Sequence, residues 1–260
     1  MMWYRENDRS EPVFTAKQHV ESSHHKWNTR IELPPYCILF YMSDVIPHLI
    51  EQGAVCITEK LPRFLNGCPV YGFPDTPLCF LDGGRGAPQA VDTLETLYAL
   101  GVRTVLSIGM CGGFSSCVEV GDLVVPDRVF IEEGTSLHYM KPRPCSVPDT
   151  GLMKRVCAHF PQAKVLPIVS TDAVYRQTFV KEAIWREQGA VGVDMETSAL
   201  FTVAEYLGME MAAVLTVSDK HPESPGDAGW HWGMTHEMRW ALVDRCVNLM
   251  RKIAGENQGE

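Results

Sequence analysis

Two carboxylates flank a methionine in Asp194-Met195-Glu196, and the residues around them change character at that point. Ala190, Val191, Gly192 and Val193 read as an apolar strand. Met195, Ala199, Leu200, Val203, Ala204 and Leu207 then recur at helical spacing until Gly208 closes the run. Acidic side chains at a helix start cap free N–H groups and complement the dipole, which suffices to explain Asp194. It does not explain why Met195 and Glu196 arrive where a strand gives way to a helix, the place where open α/β sheets hold ligands. A third carboxylate, Asp219 in Ser218-Asp219-Lys220, ends the apolar run 212–217. It either caps a loop or stands at the ligand edge of a sheet.

Two glycine turns accompany these acids. Residues 78–81 form an apolar strand that enters Asp82-Gly83-Gly84-Arg85-Gly86, and Ala90, Leu94, Leu97 and Leu100 then follow at helical spacing. A dinucleotide-binding turn would need a third glycine, which Ala87-Pro88-Gln89 does not supply, and an acidic residue on the next strand, which Arg103-Thr104-Val105-Leu106-Ser107 lacks. A nicotinamide-dependent oxidoreductase is therefore disfavoured. The second turn, Met110-Cys111-Gly112-Gly113, ends a buried strand and lets the backbone approach a flat ligand without Cβ interference.

Strands at 36–41, 56–58, 69–73, 78–81, 103–109, 120–126, 164–169 and 212–217 alternate with helices near 47–51, 90–100, 151–159, 195–207 and 240–250. The 260 residues suit one α/β domain, residues 36–260, behind a polar N-terminal arm, residues 1–35. Hydrophobic residues at 45% and charged residues at 21% are those of a soluble globular protein. A formal charge of -9 argues against a nucleic-acid partner. No apolar stretch approaches the ~18–20 residues of a membrane span, and the N-terminus lacks a signal-peptide core, so the expected location is cytoplasmic. The 9 cysteines form no Cys-x-x-Cys pair; most, such as Cys37, Cys56, Cys79 and Cys157, sit in apolar runs and read as buried free thiols. His231 and His236 fit no standard ligand spacing, so no metal is expected.

At Met195-Glu196, at Gly84-Arg85-Gly86-Ala87-Pro88, at Cys111-Gly112-Gly113, at Val120-Gly121-Asp122 and at Ser218-Asp219, in that family's order, the chain resembles the nucleoside phosphorylase and nucleosidase superfamily. The resemblance runs from about Tyr36 to Lys220. It implies a three-layer α/β domain whose central mixed sheet, with a distorted barrel, is flanked by helices. It also implies a homo-oligomer, dimer-based and as large as a hexamer, whose subunits complete each other's sites; an N-terminal histidine, His24 or His25, would reach a neighbour.

The implied reaction is cleavage of the N-glycosidic bond of a purine nucleoside or nucleotide, with no metal or redox cofactor and with inorganic phosphate as co-substrate. Met195 would pack under the ribose and Glu196 would accept its vicinal hydroxyls, where a negative charge also favours an oxocarbenium-like transition state. Asp194 neighbours this pair. Asp219, next to Ser218, would be the catalytic acid that protonates purine N7. Cys111 and Gly112 would pack on the base, with Val174 and Tyr175 supplying a further face. Arg63, Arg85 and Arg176 are the candidate phosphate ligands. The family's Gly-Asp-Pro-x-Arg is replaced by Met42-Ser43-Asp44-Val45-Ile46-Pro47, and its strand arginine and Ser/Thr by Ser107 and Met110. These losses favour water as nucleophile, as in the AMP nucleosidase branch, whereas the three arginines favour phosphate. Phosphorolysis is the leading expectation; hydrolysis and a catalytically silent nucleoside-binding relative are the alternatives.

Overall fold

The apolar runs expected to be strands are strands, and all of them join one sheet. The computed structural model describes residues 10–256. The chain opens with α1 (Ala16–Trp27), β1 (Tyr36–Phe40), α2 (Val45–Glu51), β2 (Val55–Thr58), β3 (Val70–Gly72), β4 (Leu78–Asp82) and α3 (Ala87–Ala99). Next come β5 (Thr104–Gly113), β6 (Leu123–Val125), β7 (Val129–Glu132), β8 (Cys145–Ser146), α4 (Thr150–His159), β9 (Lys164–Val165) and β10 (Ile168–Thr171). The last part holds α5 (Phe179–Glu187), β11 (Gly192–Asp194), α6 (Thr197–Leu207), β12 (Glu210–Lys220), β13 (His231–Trp232) and α7 (His236–Glu256).

The central strands β4, β1, β5 and β12 run parallel in that order. Both of their faces are covered, which is why they read as continuous apolar runs and not as alternation. Along β1, Cys37 and Leu39 pack with α1, α3 and α6, while Ile38 and Phe40 pack with α2, α4 and α7. Three layers result. Each fully buried Leu, Val or Phe in them contributes about 1.5–3 kcal/mol.

The distorted barrel implied by resemblance is not formed, because the sheet branches and does not close. β5 pairs with β1 and β12 along its length and with β11, antiparallel, at Gly112 and Gly113. One arm ends β11-β10-β7-β8 and the other β12-β6-β9. The chain crosses between the arms at 123–132 and at 164–171, and a proline breaks each crossing: Pro126 between β6 and β7, Pro167 between β9 and β10. A residue without an N–H cannot continue a ladder. The single strand expected at 164–169 is split for this reason.

The stretch read as a polar arm contains α1. A capping box holds its start, with Gln18 N–H donating to Thr15 Oγ1 at 3.3 Å and Thr15 N–H to Gln18 Oε1 at 2.8 Å. Val20, Ile31 and Leu33 are buried in the core shared with α3. Two of the four cysteines expected to be buried are not: Cys157 is half-buried, and Cys56 is exposed because β2 is an edge strand.

Candidate active site

β12 keeps register with β5 until Val217 faces Cys111; then Ser218 is bulged out and Asp219 faces Gly112. A bulge re-aims the side chain that follows it. The displaced Ser218 carbonyl accepts the N–H groups of Gly233 and Met234, and β13 pairs with Asp219 and Lys220. The segment after residue 230 is thereby stitched over the end of β12.

Asp219 is buried, and three side chains hydrogen-bond its carboxylate. Ser218 Oγ donates to Oδ1 at 2.5 Å, and Trp230 Nε1 donates to Oδ2 at 2.6 Å. His221 Nε2 lies 3.1 Å from Oδ2, and its Nδ1 lies 2.7 Å from Oε1 of Glu182 on α5. Burial pushes the Asp219 carboxyl upward, but the hydrogen bonds of His221, Ser218 and Trp230 prevail and hold it below the usual range. Gly112 makes room for this cluster: a Cβ there would fall 2.5 Å from His221 Nε2 and 3.2 Å from Asp219 Oδ2. The glycine expected to admit a flat ligand thus also admits the histidine.

β11 delivers the other acids. Val193 lies opposite Gly112, which sets Asp194 close to Cys111. Asp194 is spent on structure. Ser170 Oγ donates to one of its oxygens, and Thr197 donates to the other from its hydroxyl and from its N–H at 3.1 Å, fixing the start of α6. Burial nevertheless raises its pKa. Glu196 turns the opposite way and accepts the Gly86 N–H at 2.7 Å and the Met195 N–H at 3.3 Å. The first of these bonds requires the tight turn in which Gly84 and Gly86 hold φ at +93° and +78°. Burial, then the Asp194 charge, push the Glu196 carboxyl up to about 7 against these donors and against Arg85. Met195 is half-buried between the two carboxylates. Burial first, then Asp194 and Asp219, push the Cys111 thiol upward, so it stays neutral between the two acidic centres.

The other expected residues do not all converge here. Arg63 is 7% exposed and works as an internal strut, donating to the carbonyls of Asn66 at 2.7 Å and Asp82 at 3.0 Å and to Thr93 Oγ1 at 2.8 Å. Arg85 stays half-exposed beside the Gly86 turn, 3.3 Å from Asp82. Val174, Tyr175 and Arg176 form a short 3-10 turn on the surface, Tyr175 being 96% exposed, so within one chain it stacks on no base site. His24 accepts the Ile31 N–H, and His25 is exposed. An open groove of about 920 Å³ between α1, residues 28–33 and the end of α3 contains none of the acids described above. Among the described residues no cluster of three or more His, Cys, Asp or Glu is arranged to hold a metal ion.

Three participants escaped the sequence reading. His221 follows Asp219 by two residues, which is a weak signal. Glu182 lies on a helix the periodicity did not reveal. The third is Tyr41, whose buried hydroxyl has no hydrogen-bond partner and whose titration is opposed by burial and then by the Glu196 charge.

A branched three-layer sheet with two acidic centres on either side of one glycine turn defines a class, and comparison with known proteins places the chain in it. The Phosphorylase superfamily model matches residues 38–246, and the chain belongs to that family. It is an enzyme of N-glycosidic bond cleavage. Guanosine phosphorylase of Halorubrum lacusprofundi is 33% identical over 178 residues, covering 67% of this chain and 72% of the relative. A purine nucleoside phosphorylase of DeoD type from Clostridium beijerinckii is 28% identical over 58% of this chain and 68% of its own. The crystal structure of AMP nucleosidase from Bacteroides thetaiotaomicron superposes with a TM-score of 0.75 over 95% of this chain and 100% of that one, at 20% identity, a likeness of fold.

Proposed function

We propose that this enzyme cleaves purine nucleosides by phosphorolysis, releasing the free base and ribose 1-phosphate. The observation that carries the reading is the placement of Glu196 and Asp219 on either side of the Cys111-Gly112 turn, one at the end of β11 and one at the end of β12. Glu196 accepts the two ribose hydroxyls, with Met195 against the sugar. Its charge stabilises the cationic sugar as the C–N bond stretches. Asp219 protonates the departing base, so that a neutral molecule leaves. Trp230 N–H already occupies the Asp219 oxygen that a protonated ring nitrogen would use, so the 230–232 segment moves when substrate binds. Of the three candidate arginines, Arg85 alone is both half-exposed and next to Glu196, and it is the phosphate ligand in this reading.

The spent Arg63 supports a second reading, in which water replaces phosphate. Homo-oligomerisation belongs to the same proposal: Phe14 at 59% and Phe64 at 67% exposure, their rings tilted at 41° with centroids 6.3 Å apart, form a surface apolar patch suited to a second copy. No helix of the described residues is long and apolar enough to cross a membrane. Base release from inosine, guanosine, adenosine and AMP, each with and without phosphate, separates the readings. Phosphate-dependent release with ribose 1-phosphate as product is expected; phosphate-independent release would establish hydrolysis instead.

A further inference from the structure

His221 is held between two buried carboxylates, and neither can donate to it. Its Nδ1 is 2.7 Å from Glu182 and its Nε2 is 3.1 Å from Asp219. Satisfying both requires a proton on each ring nitrogen, that is, an imidazolium. Glu182 is 5% exposed, and Arg186, one turn along α5, fixes it at 3.8 Å while donating to the Phe114 carbonyl. The other charged groups face elsewhere: Lys220 points to the carbonyls of Ser115 and Val118 and to Glu119, and His231 is exposed. The Gly112 backbone leaves the gap that the imidazole fills. Such a set is costly to bury unless it has a use.

We infer that His221, oriented by Glu182, is a positioning residue that keeps one proton in reach of Asp219 for delivery to the leaving base. This inference rests on the proposed base-cleaving activity and deepens it. As the bond between sugar carbon and base nitrogen breaks, its electron pair stays on the base. The Nε2 proton of His221 passes to the Asp219 carboxyl, and from that carboxyl a proton passes to the ring nitrogen of the base. His221 ends neutral, with Nδ1–H still donating to Glu182; Asp219 ends as the carboxylate it began as. The Asp219 carboxyl, held below the usual range by His221 first and then by Ser218 and Trp230, is ionised near neutrality and has no proton of its own to give. Burial opposes the His221 charge, but the bonds to Asp219 and Glu182 outweigh it and push its pKa up to about 9. The pair therefore stays loaded through neutral pH.

The test is the pH–rate profile of base release from a purine nucleoside for the wild type and for His221→Gln, Glu182→Gln and Asp219→Asn. The wild type is expected to hold its rate up to a limb near pH 9. His221→Gln keeps a donor to Asp219 but no titrating proton; its rate should fall at least about tenfold between pH 6 and pH 8 while KM changes little. Glu182→Gln should move the same limb to lower pH by a smaller amount, and this variant decides the matter if His221→Gln does not fold. A limb that stays in place in both variants, or in Glu182→Gln alone where the other is lost, overturns the inference. An unaltered rate in Asp219→Asn, or no base release by the wild type, would instead overturn the proposed activity beneath it.

Discussion

Replacing Glu196 by glutamine should stabilise the protein at alkaline pH while weakening its activity. The carboxyl rises from the ordinary 4.5 to about 7, because burial and then Asp194 outweigh the N–H groups of Gly86 and Met195. A difference of that size corresponds to about 3 kcal/mol. Its sign follows from linkage: a carboxyl raised on folding leaves stability intact below about pH 4.5 and removes it progressively as pH climbs toward 7. Glutamine keeps the shape and one acceptor oxygen, enough for the 2.7 Å bond from Gly86 at the expense of the 3.3 Å one from Met195, yet never ionises. Glu196→Gln should therefore melt near the wild type at pH 4.5 and above it at pH 8, by up to ~3 kcal/mol, or roughly 5–10 °C for a chain of this size. Melting at both pH values by circular dichroism, with nucleoside kcat/KM measured alongside, checks both halves. A melting difference independent of pH would refute the reasoning, as would a variant that cleaves nucleosides as well as the wild type at pH 8.

Further tests separate the arginines and probe the 230–232 segment. Arg63→Ala should cost about 3 kcal/mol of stability, since the carbonyls of Asn66 and Asp82 and the Thr93 hydroxyl lose a buried donor, and should leave the phosphate KM near its original value. Arg85→Ala should do the reverse, raising the phosphate KM about tenfold with a melting change under ~1 kcal/mol; melts and rates at varied phosphate check the pair. Trp230→Phe removes the indole N–H from Asp219, so the tryptophan emission change on nucleoside binding should largely disappear although five other tryptophans remain.

Much of this was legible in the sequence where local pattern and global fold agree. The runs that became β1, β4, β5 and β12 are apolar on both faces, and the acids at 194–196 and 219 stand where their strands must end. What stayed hidden depended on contacts between distant residues. Arg63 looked free, but three acceptors up to 30 residues away fold it inward. Glu182 and His221 meet across 39 residues, brought together by the bulge at Ser218, which no residue pattern announces. The helix α1 was missed because its polar faces mask a narrow buried stripe at Val20 and Ser23. The branching of the sheet depends on two prolines acting at corresponding crossings, a relation visible only once β6 lies beside β9 and β7 beside β10.

The most direct measurement is base release from a purine nucleoside by the wild type and by Asp219→Asn, with and without phosphate, at pH 7. Phosphate-dependent release of base and ribose 1-phosphate, reduced about 10²–10⁴-fold by the substitution, is the expected result. Absence of release from every purine nucleoside tried, or release untouched by the loss of Asp219, would contradict it.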